Sequence, residues 1–419
     1  MKPKLLQQKI LILYICFTST IMMILIKNTN IPQLLLFLLL FTSCKGKNDA
    51  DIGLTDTISK KEFALKQGTK LTDEFINSKK ASIAHFYNKN WPNNSMNGGF
   101  LVAKNGQIIY EKYEGLANKK NNTAMSSTTA LHVASVSKVM TATAILKLID
   151  QKNFTLNQKV ATLIKGFPYP DVTVQTLLNH RSGIRNYSYF TDKKIIWDRH
   201  KILTNQDIVD LLISKKITLE FKTDTRFSYC NTNFAILALI IEKATGQNYR
   251  EAMKSIIFKP LGMNDTYVFD YEKDRQTANP SYRGDWSLYY WDYLDAIYGD
   301  KNIYSTPRDL LKFDMGRNDP EFFKPELLKK AFVGYSNEHI GQRNYGLGMR
   351  MINWPTGQNF YFHTGWWHGN TSMYITLPIE KVTIIALSNK FTKTTYRIKN
   401  LAPLFGDYPF EVDKTLVEE

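Results

Sequence analysis

Phe100-Leu-Val-Ala-Lys-Asn-Gly-Gln-Ile-Ile-Tyr110 sets two apolar, β-rich runs on either side of Asn105-Gly106. Asn-Gly between such runs is the strongest short signal for a hairpin, because a tight two-residue turn needs positive φ at both central positions. Strands therefore open the domain, after a helix read from Leu71 to Asn88. Short β-rich runs return at Phe360 to Thr364, Met373 to Leu377 and Val382 to Ser388, with a terminal helix from Thr394 to Leu404. Between these ends, from Ser135 to about Asp314, the pattern is mainly helical. It includes Val136 to Asp150, Asn205 to Ile213, and Asn233 to Thr245 closed by Gly246. This order predicts an α+β (mixed α/β) fold: one antiparallel sheet built from both termini and flanked by helices, with a mainly helical lobe, about residues 151–314, inserted in the middle. An active site then belongs between the lobes. From Thr69 onward there is no internal repeat and no low-complexity break.

The chain has 419 residues, 43% hydrophobic and 22% charged, values that exclude disorder and suffice for a sizeable core. Cys16, Cys44 and Cys230 lie too far apart for a disulfide framework or a zinc knuckle, and Cys230 reads as a small buried hydrophobe. The formal charge is +16. Removing Lys2, Lys4, Lys9 and Lys27, which have no acidic residue beside them, lowers it to +12 for a chain starting at Cys44. The excess is a solubilising lysine-rich surface or an attraction to anionic envelope polymers and lipid headgroups. Basic residues are scattered among acids and no recognition motif occurs, so nucleic acid is not an expected partner.

Two apolar stretches, Ile10 to Ile26 and Leu34 to Phe41, precede Cys44. Leu38-Leu-Leu-Phe-Thr-Ser-Cys44 resembles a bacterial lipoprotein signal, in which small residues precede the cysteine that becomes lipidated; Phe41 stands where Leu is commoner. The second stretch is too short to span a bilayer. A true start at Met22 or Met23 leaves a normal signal peptide with Lys27 as its charged head. Residues 1–43 are thus read as a signal segment, 44–68 as a polar tether, and 69–419 as the folded domain, anchored to a membrane of the cell envelope through lipid on Cys44.

Ser135-Val136-Ser137-Lys138 falls where a loop becomes a helix. Positions i and i+3 share a helix face, so Lys138 projects beside Ser135. A serine hydroxyl needs a base within hydrogen-bond reach to act as a nucleophile. Desolvation, a neighbouring cation or the positive end of a helix dipole each favour the neutral amine that such a base requires. Ser-x-x-Lys alone is a weak signal, since a capping serine with an exposed lysine gives the same letters. Tyr229-Cys230-Asn231, just before the apolar helix Phe234 to Ala244, and His363-Thr364-Gly365, at the end of a β-run, add to it.

In order and spacing these three motifs resemble the signature of class C β-lactamases, DD-peptidases and related esterases, within the serine β-lactamase and penicillin-binding-protein superfamily. Leu177-Leu-Asn-His-Arg-Ser-Gly-Ile184, Pro260-Leu-Gly-Met263, Tyr304-Ser-Thr-Pro-Arg-Asp-Leu310 and Tyr345-Gly-Leu-Gly348 look like family segments, so the resemblance covers nearly all of the domain. It implies that Ser135 attacks a carbonyl while Lys138 and Tyr229 move the proton, with either as the base. It further implies that Asn231 hydrogen-bonds Lys138 and a substrate amide. Backbone N–H groups of Ser135 and Trp366 would form an oxyanion hole, and His363, Thr364 and Gly365 would line the substrate site. Tyr335-Ser336-Asn337 also fits Tyr-x-Asn but lies outside the helical region, where the family places this element.

Where lactamases usually carry lysine this chain has His363, a neutral histidine being the weaker partner for a carboxylate. Trp366 and Trp367 follow where small residues are common, implying an aromatic wall or simple packing of Trp367 in the sheet. The cluster Trp286-Ser-Leu-Tyr-Tyr-Trp-Asp-Tyr293 either lines the cleft or packs at the lobe interface. His132, His180 and His368 show no metal-ligand spacing, and neither a metal nor a cofactor is expected. The leading expectation is an envelope serine hydrolase acting on a D-amino-acid peptide or muropeptide, DD-carboxypeptidase-like, with no obligate protein partner evident. Esterase, weak β-lactamase and a non-catalytic binder of cell-wall peptides are the alternatives. Narrow aromatic walls and no lysine in the third motif favour slow turnover of lactams.

Overall fold

The computed structural model describes residues 64–338 and 343–410. The signal segment, Cys44 and the tether as far as residue 63 lie outside the described residues.

Asn105 and Gly106 adopt φ of 55° and 76°, closing the turn between β1 (Gly98–Lys104) and β2 (Gln107–Glu114). Five further strands come from the C-terminal part: β3 (Arg343–Tyr345), β4 (Arg350–Asn353), β5 (Asn359–Trp367), β6 (Asn370–Leu377) and β7 (Val382–Ser388). All pair antiparallel in the order β2-β1-β7-β6-β5-β4-β3. The first strand lies beside the last, with Gly98 opposite Ser388 and Lys104 opposite Val382. The fold is thus the mixed α/β arrangement with one antiparallel sheet drawn from both termini.

Alternation along the strands sends side chains to two cores. Phe100, Val102 and Ile375 meet Ile83 and Tyr87 of helix α1 (Asp73–Asn90) and Ile398 of the C-terminal turns. Leu101, Tyr374 and Ile385 face the larger core, which also holds Ile145 of helix α2 (Ser137–Asp150). With both faces covered, every residue of β6 and β7 is buried, although β6 opens with the polar Asn370, Thr371 and Ser372 and only β7 is a mostly apolar run.

Helix α3 (Asn205–Ser214) starts at a capping box made by Thr204 and Asp207. Helix α4 (Asn231–Thr245) ends at Gly246, whose φ of 66° needs glycine. It starts two residues earlier than its apolar pattern suggests. Helix α5 (Pro307–Arg317) completes the set used below.

Three details differ from the sequence reading. Thr394–Leu404 is 3₁₀ and contains Pro403, whose ring and missing N–H do not suit an α-helix interior. Strands β3 and β4 carried no signal, because Arg343, Asn344, Arg350 and Asn353 interrupt any apolar run. The middle is also less helical than its pattern, with neither helix nor strand from Arg275 to Asn302. A small sheet, Leu131–His132, Ile303–Ser305 and Tyr267–Val268 with Ile303–Ser305 central, ties that stretch to the start of α2.

Candidate active site

Ala134–Val136 form a single 3₁₀ turn ahead of α2. Ala134 has φ of 48°, a left-handed conformation costing about 1–2 kcal/mol in a residue with a Cβ. Its neighbours enforce it. The Ala134 N–H donates to His132 Nδ1 at 3.0 Å, and Val133 N–H donates to Ile303 O at 2.9 Å. Since Nδ1 accepts, Nε2 carries the proton and donates to Asn302 Oδ1 at 2.9 Å. Burial pushes His132 down to about 4, so the imidazole stays neutral as this pattern requires. From the sheet side, Ser372 Oγ donates to Val133 O at 2.6 Å.

Gly365 explains how closely β5 meets this turn. A Cβ there would lie 2.3 Å from Ser372 Oγ and 2.5 Å from Val133 O, distances only glycine avoids. The third motif is thus pressed against the turn that carries Ser135.

One helical turn on, Lys138 is fully buried. Its Nζ lies 3.1 Å from Ser135 Oγ and 2.8 Å from the Asp300 carbonyl, to which it donates. Asp300 is held in turn, its Oδ2 accepting from Tyr187 OH at 2.8 Å while Lys301 Nζ donates to the same hydroxyl at 2.7 Å. The rings of Tyr229 and Phe234 flank Lys138, with centroids 5.1 and 5.7 Å from Nζ. An amine held between a serine hydroxyl and a carbonyl, in contact with two rings, is positioned to exchange a proton with that hydroxyl.

The second motif completes the pocket. Cys230 N–H donates to His180 Nδ1 at 3.2 Å, and the His180 ring packs 4.4 Å from the Tyr229 ring. On the other side, the Arg350 guanidinium sits 4.7 Å from that ring. The Tyr229 hydroxyl and Asn231 Oδ1 are buried without a hydrogen-bond partner. The implied Asn231 bond to Lys138 is therefore not formed; Nζ is committed to Ser135 and Asp300. Tyr335 is elsewhere, its hydroxyl donating to Lys330 O and its carbonyl accepting from Arg181.

The third motif requires a correction. His363 is fully buried, with Nδ1 donating to Thr364 O at 2.7 Å and Nε2 accepting from Tyr345 OH at 3.2 Å. Burial first, then the cations Arg350 and Lys138, push it well below its usual value. It is a neutral ring with both nitrogens engaged and does not offer itself to a substrate carboxylate. Thr364 is half-buried and pairs with Met373 across the sheet. Trp366 is 64% exposed, its indole N–H donating to His368 O. Trp367 is half-buried and donates to Asp295 Oδ1 at 2.7 Å.

Sequence reasoning missed Asp300, Arg350 and His180 as parts of this site. His180 and Asp300 lay inside or beside segments already singled out, but a backbone carbonyl acceptor leaves no mark in side-chain patterns. Asp292, Asp295 and His368, unrelated by spacing, also converge, each offering a ligand atom within 4.8 Å of the others. Asp295 accepts from both Trp367 and His368, so the group is already a hydrogen-bonded cluster.

A serine turn between an antiparallel sheet and a helical lobe, with a lysine one turn on, defines a class. The model of the Beta-lactamase family matches residues 93–403, and the chain belongs to that family. It is a serine hydrolase of the β-lactamase and penicillin-binding-protein superfamily. It is 32% identical over 340 residues to penicillin-binding protein 4* of Bacillus subtilis, covering 75% of this chain and 74% of that one. To a D-aminopeptidase of Brucella anthropi it is 31% identical over 179 residues, 41% of this chain and 34% of the relative. The crystal structure of a penicillin-binding protein from Bacillus halodurans superposes with a TM-score of 0.67 at 21% identity, covering 77% of this chain and 98% of that one.

Proposed function

We propose that this chain is an envelope hydrolase that cleaves an amide bond in a D-amino-acid peptide or muropeptide through an acyl-enzyme on Ser135. The observation that carries the reading is the buried Lys138 amine held 3.1 Å from Ser135 Oγ by a second bond to the Asp300 carbonyl. Ser135 Oγ attacks the carbonyl carbon as its proton passes to Lys138 or Tyr229. The tetrahedral oxyanion forms beside the Ser135 and Trp366 N–H groups and collapses, and the leaving amine departs with that proton. Water then attacks the ester, releasing the acid and restoring the serine.

Arg350 supports a substrate with a free carboxylate beside the scissile bond. It stands against the ring of Tyr229 and, among the described residues, pairs with no carboxylate, so it supplies the cation that His363 does not. The relatives named penicillin-binding protein and D-aminopeptidase agree with peptide chemistry. The signal ending in Cys44 supports one folded domain from about residue 69, tethered to a membrane by lipid.

The test is a hydrolysis panel of a D-Ala-D-Ala peptide, a short p-nitrophenyl ester and nitrocefin, with fluorophosphonate labelling and Ser135→Ala as control. The peptide should be turned over and the label lost in the variant; nitrocefin should be slow. Nitrocefin turnover near about 10⁷ M⁻¹s⁻¹ would make the chain a lactamase in function. Arg350→Gln should raise KM for the peptide about tenfold and leave the ester unaffected. Cys44→Ser should release the protein from membranes or leave its signal uncleaved.

A further inference from the structure

Beside the serine turn lies a cavity of about 480 Å³ that contains none of Ser135, Lys138, Tyr229 or Asn231. Its volume falls in the range of small-molecule sites. It shares two walls with the serine turn. One is Trp367, two residues beyond the Gly365 that touches Val133 and Ser372; the other is His132, whose Nδ1 accepts from Ala134 N–H. The aromatic segment of residues 286–293 forms much of the remainder, through Tyr289, Tyr290 and Trp291. That segment thus walls a cavity separate from the serine pocket, a role other than the two its sequence suggested.

The charged side chains at the edge of this cavity are all cations. Lys119, Lys120 and Arg275 all line it and all are exposed at its edge. Among the described residues neither lysine is in an ion pair, Lys119 resting instead 5.6 Å from the Trp286 ring. The ion pair of Arg275 is a long contact of 3.8 Å with the exposed Glu272, and its guanidinium lies 5.2 Å from the Tyr271 ring. Within the cavity, His368 is paired with Asp295, and His132 is held neutral by burial. The interior is therefore aromatic, with the carboxylates of Asp292 and Asp295 held at His368, and three cations crowd its edge. Such a site retains a group with an apolar or ring-shaped body and an anionic end.

We infer that this cavity holds a carboxylate-bearing part of the acyl half of the substrate, remote from the bond that is cut. The assignment rests on the serine-hydrolase reading above, in which Arg350 engages a carboxylate beside the scissile bond. It makes the preferred substrate a doubly anionic peptide, with one carboxylate at Arg350 and a second, such as a glutamate side chain or α-carboxylate, at Lys119, Lys120 and Arg275.

The test uses the full-length Ser135→Ala protein, so that binding is read without turnover. N-acetyl-L-alanyl-D-glutamate and its diamide are titrated against intrinsic tryptophan fluorescence and by calorimetry. The dicarboxylate should bind at least tenfold tighter than the diamide. Lys119→Ala with Lys120→Ala, and separately Arg275→Ala, should each remove most of that margin, whereas Arg350→Gln should preserve it. The same edge variants on the wild-type background should hydrolyse p-nitrophenyl acetate at the unmodified rate. Equal binding of acid and diamide, or a margin untouched by the edge variants and lost with Arg350→Gln, overturns the assignment. A wild-type protein that fluorophosphonate does not label overturns the hydrolase reading instead, and the two failures are thereby distinguished.

Discussion

The two sides of the pocket are built in opposite ways. On the Ser135 side nearly every polar group is spent: Ala134 N–H on His132, His132 on Asn302, Lys138 on Ser135 and Asp300, Ser372 on Val133. On the Tyr229 side the hydroxyl and Asn231 Oδ1 are buried and unpaired, though the ring is fixed between His180 and Arg350. An unpaired buried polar atom costs about 1–3 kcal/mol. A folded chain sustains that cost where the atom's partner arrives with the reaction. The difference teaches that the nucleophile and its amine are preorganised by the fold, while the second motif is held in place by its ring and leaves its polar tip for substrate or a moving proton.

Substitutions can break that contrast. Tyr229→Phe removes only the unpaired hydroxyl, so kcat should fall by about 10²–10⁴, the range for a lost proton-transfer group, while the thermal midpoint stays level or rises. A clear drop in the midpoint with intact kcat would place a structural bond at that hydroxyl and end the contrast.

On the Ser135 side the expected signature is acid sensitivity. His132 titrates at about 4 in the folded chain, against about 6.5 when unfolded. As pH falls through 6.5 the unfolded chain gains a proton that the folded chain refuses until about 4. Stability is therefore lost across that window and constant below it as far as this group is concerned. The shift corresponds to about 3 kcal/mol; His180 and His363, also pushed down by burial, act in the same direction. Urea denaturation at pH 7 and pH 4.5 measures the loss, and His132→Gln should make it smaller.

Gly365→Ala sharpens the contact between β5 and the serine turn. With backbone and a short hydroxyl in the way, the added methyl should cost about 1–3 kcal/mol and lower kcat, read from urea midpoints and ester turnover. Unchanged values would mean that the strand can retreat without moving Ser135. The smallest effect belongs to Ala134→Gly. Relief of the left-handed conformation is offset by the larger chain entropy of glycine, so stability should shift by no more than about 1 kcal/mol, with labelling of Ser135 retained.

Legibility in the sequence followed the range of the interactions involved. The Asn105-Gly106 turn, the Gly246 stop and the β-rich runs Met373 to Leu377 and Val382 to Ser388 are local chemistry and could be read directly. So could Ser135 and Lys138, because three residues along a helix fix their separation. Strands β3 and β4, each of four residues or fewer, carry too little pattern to be seen without their partners. His363 shows the reverse error. Its letter and its place in the motif suggested contact with substrate, but the pleat turns its ring inward to Tyr345, and only the paired strand decides which way a residue faces.

By itself the sequence determined which residues were available and in what order: a nucleophile, an amine one turn on, Tyr229 and Asn231 at a helix start, and a glycine where β5 approaches. It also determined that strands at both ends enclose helices, since turn and period signals act over a few residues. Tertiary structure alone decided that Asp300 offers its carbonyl to Lys138, that Tyr229 rather than Tyr335 lies against that lysine, and that Arg350 stands by Tyr229. These are contacts between residues distant in the sequence, set by packing and strand register, and no local pattern carries them.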